Sequence, residues 1–246
     1  MRCFFTVLKM DLRNLFRNPV LIGYNTVFAL LLILIMGFLT SGDYASGKDA
    51  FQYYLVTMLI YGMLSGAMTA TNCFMERDIR RPNLRIIFSP AGSFSVYFSK
   101  TLASFLFDYT MHLLLLALLC PLLHVTLGAQ PLYFLLLMAP VEFTAASLGT
   151  FFCCLLHTEE AASTLLSMTI SLLCILGGTF FSLNGMGRIL SMLSSFSPVK
   201  WLNDAFFALC CDNSQALAVP VAFGCLIFSL LLTAGCALFF KTEDYL

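Results

Sequence analysis

Three ionisable side chains stand inside long apolar stretches of the sequence: Asp108, His112 and Glu142. Asp108 and His112 are four residues apart, which places them on one face of a helix, and Glu142 follows Pro140 in the next apolar stretch. Ionisable groups are costly at membrane depth, so this set could form the proton relay of a secondary carrier. The structural alternative is a buried hydrogen bond between Asp108 and His112, with Glu142 protonated or paired across the bundle.

Residue patterns for hydrolysis are missing from the sequence. Its three histidines belong to no H-E-x-x-H or comparable pair, and no serine stands at a recognisable spacing from a general base. The string nearest to a phosphate-binding loop, Gly92 to Thr101, lacks the glycine that should precede Lys100. We therefore expect no catalytic residue, metal or cofactor on this chain, and energy for active transport would come from another polypeptide or an ion gradient.

The composition is that of a membrane protein. Of the 246 residues, 60% are hydrophobic and 11% are charged, whereas a soluble domain carries about 25% charged residues. The 13 basic and 13 acidic residues balance, so no basic surplus attracts nucleic acid. Most of the ten cysteines lie in apolar runs, where a free cysteine behaves as a small hydrophobic residue. A soluble globular protein and a disulfide scaffold are both excluded.

Six stretches approach or exceed the length of about 20 apolar residues that a helix needs to cross a bilayer. They are Leu21 to Leu39, Phe51 to Met75, Thr101 to Val125, Pro131 to Leu156, Ala161 to Leu183 and Ala216 to Phe240. We predict an all-α, polytopic domain over residues 1–246 with an up-and-down bundle. A cleaved signal peptide is not expected, because a full-length span follows the basic N-terminal segment without an A-x-A-like site.

Basic residues predict the orientation, since Lys and Arg favour cytoplasmic loops. The side that holds both termini has ten of them: Arg2, Lys9, Arg13, Arg17, Arg77, Arg80, Arg81, Arg85, Lys100 and Lys241. The other side has three: Lys48, Arg188 and Lys200. Both termini are therefore expected in the cytoplasm.

Residues 1–18 have the pattern of an amphipathic helix. One stripe is apolar, and the opposite side is basic; the stripe comprises Phe4, Phe5, Leu8, Leu12, Leu15 and Phe16. Such a helix is typical of the membrane interface. The alternative is a simple extension of the first span, which the break expected at Asn18-Pro19 argues against.

The segment 76–100, between the second and third spans, is predicted to be more than a connector. Pro82 suits the first turn of a short helix, and Ser89-Pro90 ends it. Ser93 can then cap a new helix that continues into the third span. This pattern favours a compact helical knob on the cytoplasmic surface. A solvated basic loop is the alternative.

Three motifs, in this order, resemble the permease subunits of type-2 ATP-binding-cassette (ABC) exporters. They are the amphipathic helix before the first span, the E-R-(x)n-L-R-x-x-x-S-P loop that starts at Glu76 and ends in Lys100, and S-P-V-K-W-L-N-D-A-F-F-A-L at Ser197 to Leu209. Pro82 and the acidic pair Glu159-Glu160 depart from the family pattern.

The resemblance implies a permease that forms a homodimer or pairs with a related permease. Each copy would dock a coupling helix into a separate cytoplasmic ATPase subunit, which binds the ATP and Mg. The coupling residues implied are Glu76, Arg77, Arg81, Leu84, Arg85 and Phe88. Residues 1–18 would form the interfacial connecting helix, and residues 184–213 the short outer re-entrant helices.

The expected cargo is hydrophobic or amphipathic. The chain has 25 Phe and one Trp, with few polar residues in its spans, which suits a drug, an antimicrobial peptide or a lipid-like molecule. We therefore expect a multi-pass plasma-membrane permease that exports such cargo from the cytoplasm. The alternatives are export of a polysaccharide or cell-envelope precursor, and a proton-coupled secondary carrier that uses Asp108, His112 and Glu142.

Close helix contact is predicted at Gly177-Gly178 in the fifth span, where Ser167 and Ser171 are also small. Small residues are the usual means by which helices approach each other in membranes. A tight helix contact or a dimer seam is expected there.

Overall fold

A computed structural model describes residues 2–42, 47–75, 92–181 and 188–240. In these ranges the chain is built from helices, without strands. The helices are α1 Arg2–Leu15, α2 Pro19–Leu39, α3 Gly47–Met75, α4 Gly92–Leu123, α5 Pro131–Leu156, α6 Glu159–Leu176, α7 Arg188–Phe196, α8 Pro198–Cys210 and α9 Ala218–Phe239. Six of them, α2 to α6 and α9, are long and apolar enough to cross a bilayer, which confirms the predicted spans.

The centre of the bundle is formed by α3 and α5. In the membrane-spanning window of α3, 78% of the residues are buried, compared with 17% in α9. Gly149 of α5 packs directly on the backbone of Ala67 in α3, where any side chain would collide with the carbonyl oxygen. Small residues at helix interfaces let two backbones approach closely. The helix pair α3 and α5 is therefore the framework on which the other spans pack.

The first span contains a break and a widened turn. Asn18 ends the preceding segment and caps α2, its side chain accepting hydrogen bonds from the backbone N–H groups of Val20 and Leu21. This confirms the break expected at Asn18-Pro19. Within α2, the segment Gly23–Phe28 forms a π-helical turn, a feature that is frequent at functional sites.

Helix α1 follows the first half of α4. Three pairs join α1 and the residue after it to α4: Phe4 with Phe98 at 6.0 Å between ring centroids, Asp11 with Lys100 at 3.0 Å, and Phe16 with Phe107 at 5.1 Å between ring centroids. From one pair to the next, the residue numbers increase on both helices. Helices α1 and α4 therefore run in the same direction along this contact.

The two faces of α1 differ as the sequence predicts. Leu8 and Leu15 of the apolar stripe are buried against α4, and Lys9 and Arg13 are exposed on the other side. Part of the apolar stripe is thus used in packing within the chain. The interfacial position of the helix stays a prediction.

The fifth span, α6, ends at Leu176 rather than continuing to Leu183. Gly178 has a left-handed backbone (φ +77°), which a glycine adopts without strain and which ends the helix. The carbonyls freed by this end accept hydrogen bonds from other helices: Gly177 from Asn203 at 2.9 Å, Gly178 from Tyr53 at 2.6 Å, and Phe180 from Tyr54 at 3.2 Å. Irregular backbone at this depth requires such partners.

The close contact predicted at Gly177 is confirmed within the chain. A Cβ on Gly177 would lie 2.8 Å from the side chain of Val199 in α8, so the two segments touch. The outer segment predicted at 184–213 contains α7 and α8 in the structure. Its first part, 184–187, lies outside the described residues. Phe206 anchors α8 to the core against Phe134 of α5, with ring centroids 4.8 Å apart.

Candidate intramembrane polar site

The predicted coupling residues lie outside the described residues. They are Glu76, Arg77, Arg81, Leu84, Arg85 and Phe88. Two sets of buried charged groups remain within the described chain: the intramembrane set predicted from the sequence and an ion pair at the start of α4.

His112 and Glu142 form a buried pair across the bundle. The Nδ1 atom of His112 on α4 and Oε1 of Glu142 on α5 lie 2.6 Å apart, and both side chains are fully buried. Of the two pairings considered for this set, the structure therefore contains the one across the bundle. His112 does not bond to Asp108, because its second nitrogen, Nε2, has no hydrogen-bond partner among the described residues.

Asp108 lies one helical turn before His112 and is also buried, with 1% of its surface exposed. Both side chains face glycines of α3. A Cβ on Gly66 would lie 2.7 Å from Oδ2 of Asp108, and a Cβ on Gly62 would lie 3.0 Å from Nε2 of His112. Because Gly62 and Gly66 have no side chain, α3 leaves room for the two polar side chains of α4.

Sequence reasoning missed these glycines although a signal was present. Gly62 and Gly66 form a G-x-x-x-G pattern in the second span, the spacing at which transmembrane helices approach closely. In this protein the two glycines contact polar side chains of α4 rather than the backbone of a second helix.

The polar set extends to the first span through Asn25. Its Nδ2 donates to the carbonyl of Leu21 and to the hydroxyl of Thr69, each at 3.1 Å. The same Thr69 hydroxyl faces the carboxylate of Asp108. Asn25 belongs to the π-helical turn of α2, so the widened turn and the polar set are one feature. Residues of α2, α3, α4 and α5 therefore meet in a single buried polar layer.

A small cavity opens beside this layer, between α2, α3 and α4. Its polar lining comprises Tyr24, Asn25, Tyr61, Ser65 and His112, and it has room for about one water molecule.

The layer is rich in acceptors and poor in positive charge. Each ionisable side chain of the layer has one buried atom without a hydrogen-bond partner in the described part of the chain: Oδ1 of Asp108, Oε2 of Glu142 and Nε2 of His112. The membrane-spanning sequences of α2 and α5 contain no Lys or Arg, and α3 has only Lys48 at its first turn. His112 is thus the one basic side chain that the described helices bring to the two carboxylates. The described residues hold no cluster arranged for a metal ion.

A second buried pair joins α1 to α4. Nζ of Lys100 donates to Oδ1 of Asp11 at 3.0 Å, and the Lys100 side chain has no exposed surface. Burial raises the pKa of the Asp11 carboxyl, and the positive charge of Lys100 offsets only part of that effect. Lys100 is the last residue of the segment 76–100, which contains the predicted coupling residues. The pair therefore fixes α1 to the beginning of the third span.

Sequence reasoning counted Lys100 as a loop cation and missed Asp11. A signal was available, because Asp11 is the only acidic residue among the first 42 and lies one turn from Leu8 and Leu15 on the apolar stripe. A lone carboxylate on the buried face of a helix needs a buried partner.

The fold and these sites define a polytopic helical membrane protein with a buried polar layer. Comparison with protein families gives the same class: the model for the ABC-2 type transporter matches residues 2–210, from α1 through α8. The chain belongs to the ABC-2 type transporter family and is a membrane-spanning permease of that family. No curated protein matches it. Permeases of this family have no ATPase site of their own and work with an ATP-binding-cassette partner.

Proposed function

We propose that this permease exports hydrophobic or amphipathic molecules, such as drugs, antimicrobial peptides or lipid-like compounds, with ATP hydrolysed by a separate ATPase subunit. It acts in the plasma membrane with both termini in the cytoplasm and pairs with a second copy. The observation that carries the proposal is the composition of the exposed face of α6.

The exposed face of α6 mixes hydroxyl groups with large apolar side chains. Its residues are Ala161, Thr164, Leu165, Met168, Thr169, Leu172 and Ile175. The exposed face of α9 is purely apolar and suits lipid tails; it includes Val219, Phe223, Ile227, Leu230 and Leu238. A surface with hydroxyl groups at membrane depth is better matched to a neighbouring permease or to cargo with polar groups than to lipid.

The same face argues for amphipathic cargo rather than sugar chains. No aromatic residue occurs in α6, and aromatic rings are the surfaces on which sugars stack. Methionine and leucine beside threonine instead offer apolar contact with occasional hydrogen bonds.

The position of the buried pairs supports coupling to an ATPase. The predicted coupling segment joins α3 to α4, the two helices that carry Gly62, Gly66, Asp108 and His112. Force applied to that segment would reach the polar layer through both helices. The ion pair of α1 with Lys100 makes α1 part of the same unit.

The first test is co-purification of the tagged chain in mild detergent, followed by an ATPase assay on its partner with and without a lipophilic dye. We expect an ATPase whose turnover rises with the dye. Arg85→Glu should lower this stimulation at least about tenfold at normal expression, because it reverses a charge on the predicted docking surface.

Lys200→Glu is the matched control, since it reverses a charge on the side predicted to face outward. Equal stimulation in both variants would contradict the docking role of Arg85. Stimulation by an oligosaccharide but not by the dye would contradict the proposed cargo.

A further inference from the structure

Three exposed cations follow one another along α1 and the turn after it. Lys9, Arg13 and Arg17 are spaced by four residues, so they form one row, which we call the basic row. No ion pair or side-chain hydrogen bond joins them to another residue in the described part of the chain. Asp11, the only acidic residue among the first 42, is buried on the opposite side and bound to Lys100. The described residues therefore leave the basic row without a counter-charge.

Contacts on the opposite side of α1 fix the direction in which the basic row faces. Leu8 and Leu15 pack against α4, and the ion pair of Asp11 with Lys100 is buried beside them. Rotation of α1 about its axis would expose these apolar side chains and separate the two buried charges, which is costly. The basic row is thus a preformed surface that faces away from the bundle.

The length of α2 indicates the depth of the basic row in the membrane. Helix α2, Pro19–Leu39, has 21 residues. At about 1.5 Å per residue, this is about 30 Å, the thickness of the hydrocarbon core. A span of this length begins at the boundary of the hydrocarbon core, so Pro19 lies at the boundary. Arg17, two residues earlier, is then level with the lipid headgroups, and Lys9 and Arg13 continue from there along the docked helix.

Exposed aromatic side chains border the basic row. Phe5 lies four residues before Lys9 in the same row, and Phe16 lies one turn after Arg13; both rings are exposed. Rings beside cations suit a membrane interface, where the rings reach acyl chains and the cations reach phosphates. An acidic protein surface would match the cations but not the rings, and it would have to reach Arg17 at headgroup depth. The surface is therefore better matched to lipid than to protein.

We propose that the basic row binds the headgroup of an anionic phospholipid in the cytoplasmic leaflet. Guanidinium groups donate paired hydrogen bonds to phosphate oxygens, and each basic residue near an anionic membrane surface raises the affinity about fivefold. The ligand is a lipid rather than free phosphate, because Phe5 and Phe16 require acyl chains beside the headgroup. This site goes beyond the proposed export function. It needs neither cargo nor ATPase and rests only on the predicted cytoplasmic position of α1.

The test measures which lipid lies beside α1 in the full-length chain. Trp201 is the only tryptophan of the sequence, so Trp201→Phe combined with Phe5→Trp gives a single fluorescent reporter next to the basic row. This chain is reconstituted in vesicles that contain phosphatidylglycerol as the minor lipid and phosphatidylcholine as the major lipid. Bromine on the acyl chains of one lipid or the other quenches the reporter. The ratio of quenching per mole of the two brominated lipids does not depend on the depth of the reporter.

We expect brominated phosphatidylglycerol to quench at position 5 at least about fivefold more, per mole, than brominated phosphatidylcholine. Substitution of the basic row by Lys9→Gln, Arg13→Gln and Arg17→Gln should abolish this preference, and added salt should weaken it.

The matched control is Phe223→Trp, also combined with Trp201→Phe. Phe223 is 62% exposed, compared with 63% for Phe5, and lies on α9, which has no charged side chain. We expect no preference for phosphatidylglycerol at position 223, with or without the basic row.

Equal quenching by the two lipids at position 5 would overturn the proposal. Quenching by neither lipid at position 5, while both quench at position 223, would overturn it in favour of an acidic protein surface in water. A preference that survives the triple substitution would show that other residues attract the lipid. The first two outcomes need only the reporter variants, so they decide the question even where the triple variant fails to fold. The assay contains no ATPase or cargo, so its failure is distinct from failure of the proposed export function.

Discussion

Asp11 and Lys100 show how two side chains, 89 positions apart, can fix a helix to a span. Both are buried, so each leaves an uncompensated charge when its partner is removed, a loss of about 3–5 kcal/mol. Replacing both with apolar residues removes the two charges together and is often close to neutral. The pair therefore determines where α1 lies more than it adds to total stability.

We expect Asp11→Leu and Lys100→Met each to release α1, and the double variant to restore most of its docking. Limited trypsin digestion measures this, because Lys9 and Arg13 are exposed cleavage sites on α1. Each single variant should be cut there at least about a hundredfold faster, as the open population grows by that factor. A double variant cut as fast as the single ones would show that packing, not charge, holds the helix.

Docking of α1 should also depend on pH. Burial raises the pKa of the Asp11 carboxyl above its ordinary value of 3.8, so the docked helix binds this proton more tightly than the released one. The contribution of Asp11 protonation to the stability of the docked helix is complete below pH 3.8. It is lost as the pH rises through the higher pKa that the Asp11 carboxyl has in the docked helix. Lys100→Met removes the positive charge that limits the increase in the Asp11 pKa. In this variant the loss of docking should therefore extend to higher pH.

Hydrogen exchange of the α1 amides, corrected for intrinsic rates, measures this dependence. The amides of α9, which has no acidic side chain, provide the internal control. Protection of α1 that rises with pH over the same range would contradict the assignment to Asp11.

At the level of elements, the sequence predicts the spans well because length and hydropathy alone decide whether a helix can cross a bilayer. The fourth span, Pro131–Leu156, has the predicted ends. The end of α6 at Leu176 was not predictable in the same way. It depends on Gly178 and on hydrogen bonds from Tyr53, Tyr54 and Asn203, which are distant in sequence.

Which polar side chains pair with each other in the site was harder to predict than the presence of the site. Ionisable residues in apolar runs identified Asp108, His112 and Glu142 from the sequence. The rotation of each helix then decides which groups meet, and rotation follows from packing rather than from spacing along one helix. For this reason His112 bonds to Glu142 of α5 although Asp108 is on its own helix face.

The contact between α3 and α5 should tolerate no added carbon at Gly149. Alanine there meets the backbone carbonyl of Ala67, which cannot move aside as a flexible side chain would. We expect Gly149→Ala to destabilise the bundle by about 1–3 kcal/mol, the usual result of overpacking. Thermal unfolding in detergent measures the loss, with Gly224→Ala as the control in open space. Equal melting temperatures of the two variants would show that the α3–α5 contact adjusts to the added methyl group without loss of stability.

For the molecule as a whole, burial is distributed unevenly among the spans. In α2, α6 and α9, 28%, 22% and 17% of the membrane-spanning window is buried, respectively. The exposed faces of α2 and α9 are apolar throughout, whereas that of α6 contains threonines. Lipid can cover the first two, and a second permease is the better match for α6, in keeping with the proposed dimer.

This arrangement predicts that the exposed face of α6 is the seam between two copies. Met168→Cys in the middle of α6 should form a crosslinked dimer on mild oxidation in native membranes. Ile227→Cys on α9 is the control, since the two side chains are similarly exposed, at 69% and 59%. Both variants are made with Cys211→Ser, because Cys211 is an exposed free thiol. A seam along α6 brings only position 168 of one copy near its equivalent in the other, because α9 then faces lipid. Efficient crosslinking at position 227 and none at 168 would place the second copy on α9 and would remove the argument that connects the hydroxyl groups of α6 with a partner.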